Sequence, residues 1–181
     1  MNETPPPDPA LLSRVRAGDS QAFADLYDRY SSLVYGYALR MIRDRSLAED
    51  VTQEVFLTLF RRGTSYDPSR PFVPWLLTLV RNKTIDFVRR SKGRAEQALE
   101  PGQWEGVGMP VRKQQVTDAI EKALEELPAT FREAVWLADG MGIAYMEIAT
   151  ILGCDVGTVG SRVSRARKLL KDYFARNAHA L

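Results

Sequence analysis

Apolar residues recur at three- and four-residue steps along most of this 181-residue chain, and no stretch sustains the alternation of a β-strand. That period matches the helical turn and points to an all-α fold. Ala22, Phe23, Leu26, Tyr27, Tyr30, Leu33, Val34, Tyr37, Ala38 and Met41 make one stripe about five turns long. Asp19, after Gly18, is placed to cap it. A second helix is expected to open at Ser46, with Glu49 three residues on completing a capping box. Its stripe is Val51, Val55, Phe56, Leu59 and Phe60. Gly63 ends it, and residues 64–70 turn at Asp67-Pro68. A further helix runs from about Phe72 to Arg90, where Pro74 is tolerable only in the first turn.

The pattern then changes. Residues 92–115 hold Gly93, Pro101, Gly102, Gly106, Gly108 and Pro110 without apolar periodicity, the composition of a flexible linker. Trp104 and Met109 stand alone within it. Beyond it, Thr117 to Glu126 reads as a helix with Ile120, Ala123, Leu124 and Leu127 inward. Pro128 starts another, containing Phe131, Val135 and Trp136, and Gly140 and Gly142 break it. Two helices follow, separated by Gly153. The expected architecture is therefore all-α, with two small helical domains at 10–91 and 116–176, a linker between them and short tails at 1–9 and 177–181.

Composition removes several classes of function. A single cysteine, Cys154, excludes an intramolecular disulfide and a Cys-rich zinc site. A single histidine, His179, removes His-pair metal sites and leaves little for a Ser/His/Asp or Cys/His triad. There is no glycine-rich phosphate loop, so no enzyme activity and no cofactor are expected. Asp44, Glu49 and Asp50 lie within two helical turns and are more simply a cap and an acidic face than a carboxylate site. The longest nearly apolar run, Phe72 to Val80, is nine residues, contains Pro74 and is too short to span a membrane. Met1 to Pro9 has neither a basic n-region nor an apolar h-region, so no signal peptide is expected. These readings describe a soluble cytoplasmic protein. Cys154 reads as a small buried apolar residue rather than a redox switch.

Net charge is only +2, but its distribution is uneven. Arg81 to Arg94 holds six Lys or Arg and one acid, and so does Val156 to Arg176; Ala95 to Pro110 holds three Glu and no base. Either stripe alone could be a solvated helix face. Two of them separated by an acidic stretch suggest two surfaces that face an anion.

The second stripe carries the most specific pattern, AYMEIATILGCDVGTVGSRVSRA at 144–166. Small Ala149 permits a close helix crossing, and Gly153 can take the left-handed conformation that ends a helix. Asp155 can cap the next helix, and Val159 and Val163 bury its inner face. The outer face then carries Gly160, Ser161, Arg162, Ser164, Arg165, Arg167 and Lys168. Short polar side chains near the helix start can reach base edges, Arg can grip guanine with two bonds, and Lys and Arg can hold phosphates. This is helix-turn-helix spacing. DNA binding explains it better than an ordinary helical hairpin with a basic end.

Four segments together resemble the extracytoplasmic-function (ECF) group of bacterial sigma factors. GDSQAFADLYDRY (18–30) is similar to the family's first helix, LAEDVTQEVFLTLF (47–60) to its polymerase-binding helix and FVPWLLTLVRNKTIDFVRR (72–90) to its −10 helix. Residues 123–170, which contain the helix-turn-helix, are similar to its −35 domain. All four occur in the family's order. The resemblance implies sigma domain 2 before the linker and sigma domain 4 after it. Asp50, Gln53 and Glu54 would face a coiled coil of core RNA polymerase, and an acidic helix face suits a basic partner. Asn82 would hold a −10 base outside the stack, with Arg81 and Lys83 beside it, Asp86 on the same helix, Arg89 and Arg90 on phosphate, and the 64–70 loop at the pocket. Phe72 and Trp75 are expected in the core rather than on a base. Thr158 would meet a phosphate in the first turn of the recognition helix, and Ser161, Arg162, Ser164 and Arg165 would face the −35 groove.

Gly160 stands where the family usually has Lys or Arg, Ala144 replaces the usual Ser or Thr cap, and Met146 replaces a usual Glu. No further domain is expected after Leu181, so regulation is expected from a separate anti-sigma factor. The alternatives are a stand-alone helix-turn-helix regulator, for which the first domain shows no ligand pocket or receiver pattern, and an all-helical enzyme or adaptor.

Overall fold

The computed structural model describes residues 9–61, 66–67, 69–94 and 114–177. The expectations at Gly63, Thr64 and Pro68, over residues 95–113 with Trp104 and Met109, and at residues 1–8 and 178–181 lie outside the described residues. Every regular element among the described residues is a helix. The chain divides into two compact units, Met1–Gln103 and Trp104–Leu181.

The first unit holds α1 (Pro9–Arg16), α2 (Ser20–Ile42), α3 (Arg45–Arg61) and α4 (Phe72–Arg94). Helix α1 is too short to show a period, yet it buries Leu12 and Val15. Asp19 caps α2 as expected. Its carboxylate accepts from the backbone N–H groups of Gln21 at 2.9 Å and Ala22 at 3.1 Å. Arg14 Nε donates to the same carboxylate at 2.7 Å. The hydrogen bond from Arg14, followed by that from the Ala22 N–H, holds the Asp19 carboxyl below the usual carboxylate range. A carboxyl depressed in the folded state stabilises above its unfolded pKa of about 4, and this contribution is lost as pH falls through the depressed value. Asp19→Asn keeps the cap but removes the charge. Its thermal midpoint should therefore fall less than that of the parent between about pH 5 and about pH 2. Parallel decline of the two would show that the pair adds nothing.

The α2 stripe buries Ala22, Leu26, Tyr30, Val34, Tyr37 and Ala38, while Tyr27 at the stripe's edge is exposed. Helix α3 starts one residue before the expected Ser46, and its cap is not the Ser46–Glu49 box. Asp44 Oδ1 accepts from the Leu47 N–H at 3.0 Å. With Asp44 in that role, Ser46 already lies inside the helix. Helix α3 buries Ala48, Val51, Thr52, Val55, Phe56 and Leu59. Phe60 is 42% exposed, contrary to expectation, with its ring edge-on to Phe23 at 5.1 Å. Helix α4 begins at Phe72 with Pro74 in the first turn, and it runs past Arg90 so that residues 92–94 of the expected linker are helical. Helices α2, α3 and α4 pack pairwise around one core. At the start of α4, Phe72 is buried against Tyr30, Tyr66 and Trp75, with ring centroids 5.0, 5.2 and 5.7 Å away. Trp75 is only half-buried. Arg16 donates to the Tyr66 carbonyl at 2.9 Å, which ties this cluster to α1.

The second unit holds α5 (Gln114–Glu125), α6 (Ala129–Val135), a π-helical turn at Trp136–Gly140, α7 (Tyr145–Leu152) and α8 (Val156–Arg176). Helix α5 starts three residues before the expected Thr117. Leu124, Leu127, Val135 and Ala166 form one hydrophobic cluster of this unit, with Phe131 and Leu170 packed against them. Ile120 faces outward, 45% exposed, rather than inward. Arg132 closes the end of α5 by donating to the carbonyls of Leu124, Glu125 and Leu127 at 2.8, 2.9 and 2.7 Å. Those acceptors lie where a helix end leaves carbonyls without helical partners. In the π turn the Met141 N–H reaches back five residues to the Trp136 carbonyl at 3.0 Å. Among the described residues no helix is long and apolar enough to cross a membrane.

Candidate nucleic-acid interface

Helices α7 and α8 carry the helix-turn-helix. Gly153 has φ +63°, and its N–H bonds to the Ala149 carbonyl. A residue with a Cβ would be strained in that conformation, so the glycine is what lets the chain leave α7 and start α8 after only three residues. The Cys154 N–H bonds to the same Ala149 carbonyl at 3.0 Å. Ala144 begins α7 without a side-chain cap, as its missing hydroxyl requires. Asp155 occupies the N-cap position of α8 but makes no side-chain capping bond, so the expected role of its carboxylate is not realised. Cys154 is half-buried rather than buried, with Arg162 Nη1 3.8 Å from its sulfur.

Val159 and Val163 bury the inner face of α8, as the spacing required, and Ala166 joins them. Ser161, Ser164, Arg165, Arg167 and Lys168 are exposed, and Thr158, Gly160 and Arg162 half-exposed. A Cβ at Gly160 would meet only Tyr145 Cε2, at 3.8 Å, so the missing Lys or Arg reflects no steric exclusion. Arg167 has a feature the sequence hides. Its Nε and Nη2 donate to the two oxygens of Asp139 at 2.9 and 2.6 Å, across 28 residues. These bonds, with the attraction of the same carboxylate, push the Arg167 guanidinium above its ordinary range. A planar fork meeting a carboxylate through two bonds fixes the guanidinium in direction as well as place. Nothing in the local sequence marks Asp139 as a partner for Arg167. Asp139 lies in the π turn, and the nearby Gly140 and Gly142 signal a break without showing which helix it faces.

In the first unit, Asn82, Asp86, Arg89 and Arg90 are exposed on α4, and Arg81 and Lys83 are half-exposed. Asn82, Asp86 and Arg89 follow the four-and-three spacing of one helix face. Lys83 and Arg90 define the next face, where the Arg90 guanidinium lies 5.3 Å from the centre of the Phe87 ring. On α3, Asp50 and Gln53 are exposed and Glu54 is half-exposed. A shallow depression of about 410 Å³ between α2 and α3 is lined by Tyr27, Ser31, Ser32, Tyr35, Glu49, Thr52 and Gln53. The structure joins two residues that the sequence placed on different surfaces. Lys83 Nζ donates to Glu54 Oε1 at 2.9 Å, across 29 residues. That hydrogen bond is the main cause that holds the Glu54 carboxyl below the usual range.

A basic helix-turn-helix in one helical unit and a basic helix beside an acidic one in the other give each unit a cationic face of the kind that suits an anionic polymer. The model of sigma-70 region 2 matches residues 26–94, and that of sigma-70 region 4 matches residues 117–170. The chain is 36% identical over 161 residues to the ECF RNA polymerase sigma factor SigE of Mycolicibacterium smegmatis, covering 85% of this chain and 62% of SigE. It thus spans less than two thirds of that relative's length. It is 30% identical over 173 residues to the ECF RNA polymerase sigma factor SigW of Bacillus subtilis, covering 88% of this chain and 92% of SigW. Among solved structures, the sigma factor RpoE of Bartonella quintana, crystallised with the anti-sigma factor NepR, matches with a TM-score of 0.68 at 28% identity, over 86% of this chain and 98% of that one. The chain belongs to the ECF group of the sigma-70 family of RNA polymerase sigma factors.

Proposed function

We propose that the chain binds core RNA polymerase in the cytoplasm and directs it to promoters, reading two elements with its two units. The observation that carries this reading is the pairing, in one chain, of a helix-turn-helix with an exposed basic face and a separate region-2 unit. Sigma domain 2 is assigned to 10–91 and sigma domain 4 to 116–176. In the first, Asp50, Gln53 and Glu54 of α3 meet polymerase, and Arg81, Asn82, Lys83, Asp86, Arg89 and Arg90 of α4 serve the −10 element. In the second, Thr158, Gly160, Ser161, Arg162, Ser164, Arg165, Arg167 and Lys168 serve the −35 element. Arg167 meets DNA with the guanidinium N–H groups that its fork to Asp139 leaves over. The chain itself catalyses nothing and needs no cofactor, since the polymerase makes the phosphodiester bonds. An anti-sigma factor controls it, by analogy with the RpoE–NepR complex.

The test is in-vitro transcription with bacterial core polymerase lacking any sigma, on a library of promoter fragments. New discrete start sites, with shared upstream sequences at two spacings, are expected. DNA binding without start sites and without polymerase association would overturn the reading and leave a stand-alone helix-turn-helix regulator.

A further inference from the structure

Glu54 and Lys83 belong to surfaces assigned to different partners, α3 to a protein and α4 to DNA. Yet the two side chains are bonded, with Lys83 21% exposed and Glu54 38% exposed. Glu54 also lies in the field of Arg61 and Arg90, so it is one carboxylate among three cations. An ammonium is a point charge, and carboxylate and phosphate oxygens are alternative acceptors for it. A phosphate brought to Lys83 therefore meets the Glu54 charge at contact range. The Glu54 side chain is 38% exposed, so a basic helix docked along α3 would compete with Lys83 for the same carboxylate.

We propose that Glu54 couples the two surfaces: a basic partner helix docked on α3 takes up the Glu54 carboxylate and releases Lys83 Nζ to a DNA phosphate. Each partner then strengthens the binding of the other by the same factor, as thermodynamic linkage requires. Glu54 acts through Lys83 and is a positioning residue, not a DNA contact. The inference rests on the sigma-factor reading and adds to it how polymerase binding prepares the −10 surface.

The experiment uses the full chain and three variants: Glu54→Gln, which is isosteric, Lys83→Ala, and the double variant. Each is titrated against a fluorescent random-sequence single-stranded oligonucleotide across a salt series, with and without core polymerase. Circular dichroism confirms that each variant is folded. Without polymerase, Glu54→Gln should bind roughly twofold to fivefold more tightly than the parent, the range of an exposed ion pair. Its salt slope should steepen by about 0.7, the value for one more phosphate contact on a single strand. Both gains should vanish when Lys83 is Ala. With core polymerase bound, parent and Glu54→Gln should converge.

Binding by Glu54→Gln equal to or weaker than the parent would overturn the proposal. So would a gain that survives Lys83→Ala, because Glu54 would then act by general charge alone. Failure of the parent chain to associate with core polymerase would sink the sigma-factor reading itself. Association without the free-chain gain would sink only the coupling.

Discussion

Phe72→Ala is expected to cost about 3–5 kcal/mol, the largest effect of any single substitution proposed for this chain. Phe72 is 1% exposed and touches Tyr30, Tyr66 and Trp75. Truncation removes a ring from the centre of that cluster, and three large neighbours cannot all collapse into the space. Domains are stable by only about 5–15 kcal/mol, so the loss takes a large share of the stability of the first unit. Amide hydrogen exchange reads the outcome locally. Protection should fall across α2, α3 and α4 and persist across α6, α7 and α8. The variant should then retain duplex binding through its helix-turn-helix while losing polymerase-dependent initiation. Unchanged protection in α2–α4 would show that the aromatic cluster does not hold the unit together.

Arg165→Ala is expected to weaken binding to a −35 duplex by about 1–3 kcal/mol and to relax the preference at one base pair. Arg165 is exposed on α8, one residue after Ser164 and on the face opposite the buried Val159 and Val163. Lys168, one turn further along the helix, should behave differently. Lys168→Ala should weaken all sequences evenly and flatten the salt slope by about one unit. Competition binding against a set of single-base variants separates the two. Equal losses on every sequence for Arg165→Ala would make it a phosphate contact. Parent-like binding by both variants would place the groove-facing side of α8 elsewhere.

Much of the first unit was legible because its signals are local. The Asp19 cap, the inner faces of α2 and α3, and Pro74 in the first turn of α4 follow from short-range sterics and from period. The errors fell where two local solutions compete or where a stripe is wider than the surface it covers. Asp44 and Ser46 are both good caps, and Asp44 captures the Leu47 N–H. Phe60 and Ile120 fit their stripes, yet they stay 42% and 45% exposed. The helix-turn-helix was readable for the same reason as the caps: Gly153 must be left-handed, and Val159 and Val163 must face in.

The sequence by itself determined that the chain is helical, that it holds two basic stripes and that one of them lies on the second helix of a helix-turn-helix. Each of these rests on spacing within a few turns. The tertiary structure alone decided which charges are already engaged. Arg167 reaches Asp139 across 28 residues, and Lys83 reaches Glu54 across 29. Those pairs depend on how helices pack, and no periodicity along one helix records which residue stands opposite it on another.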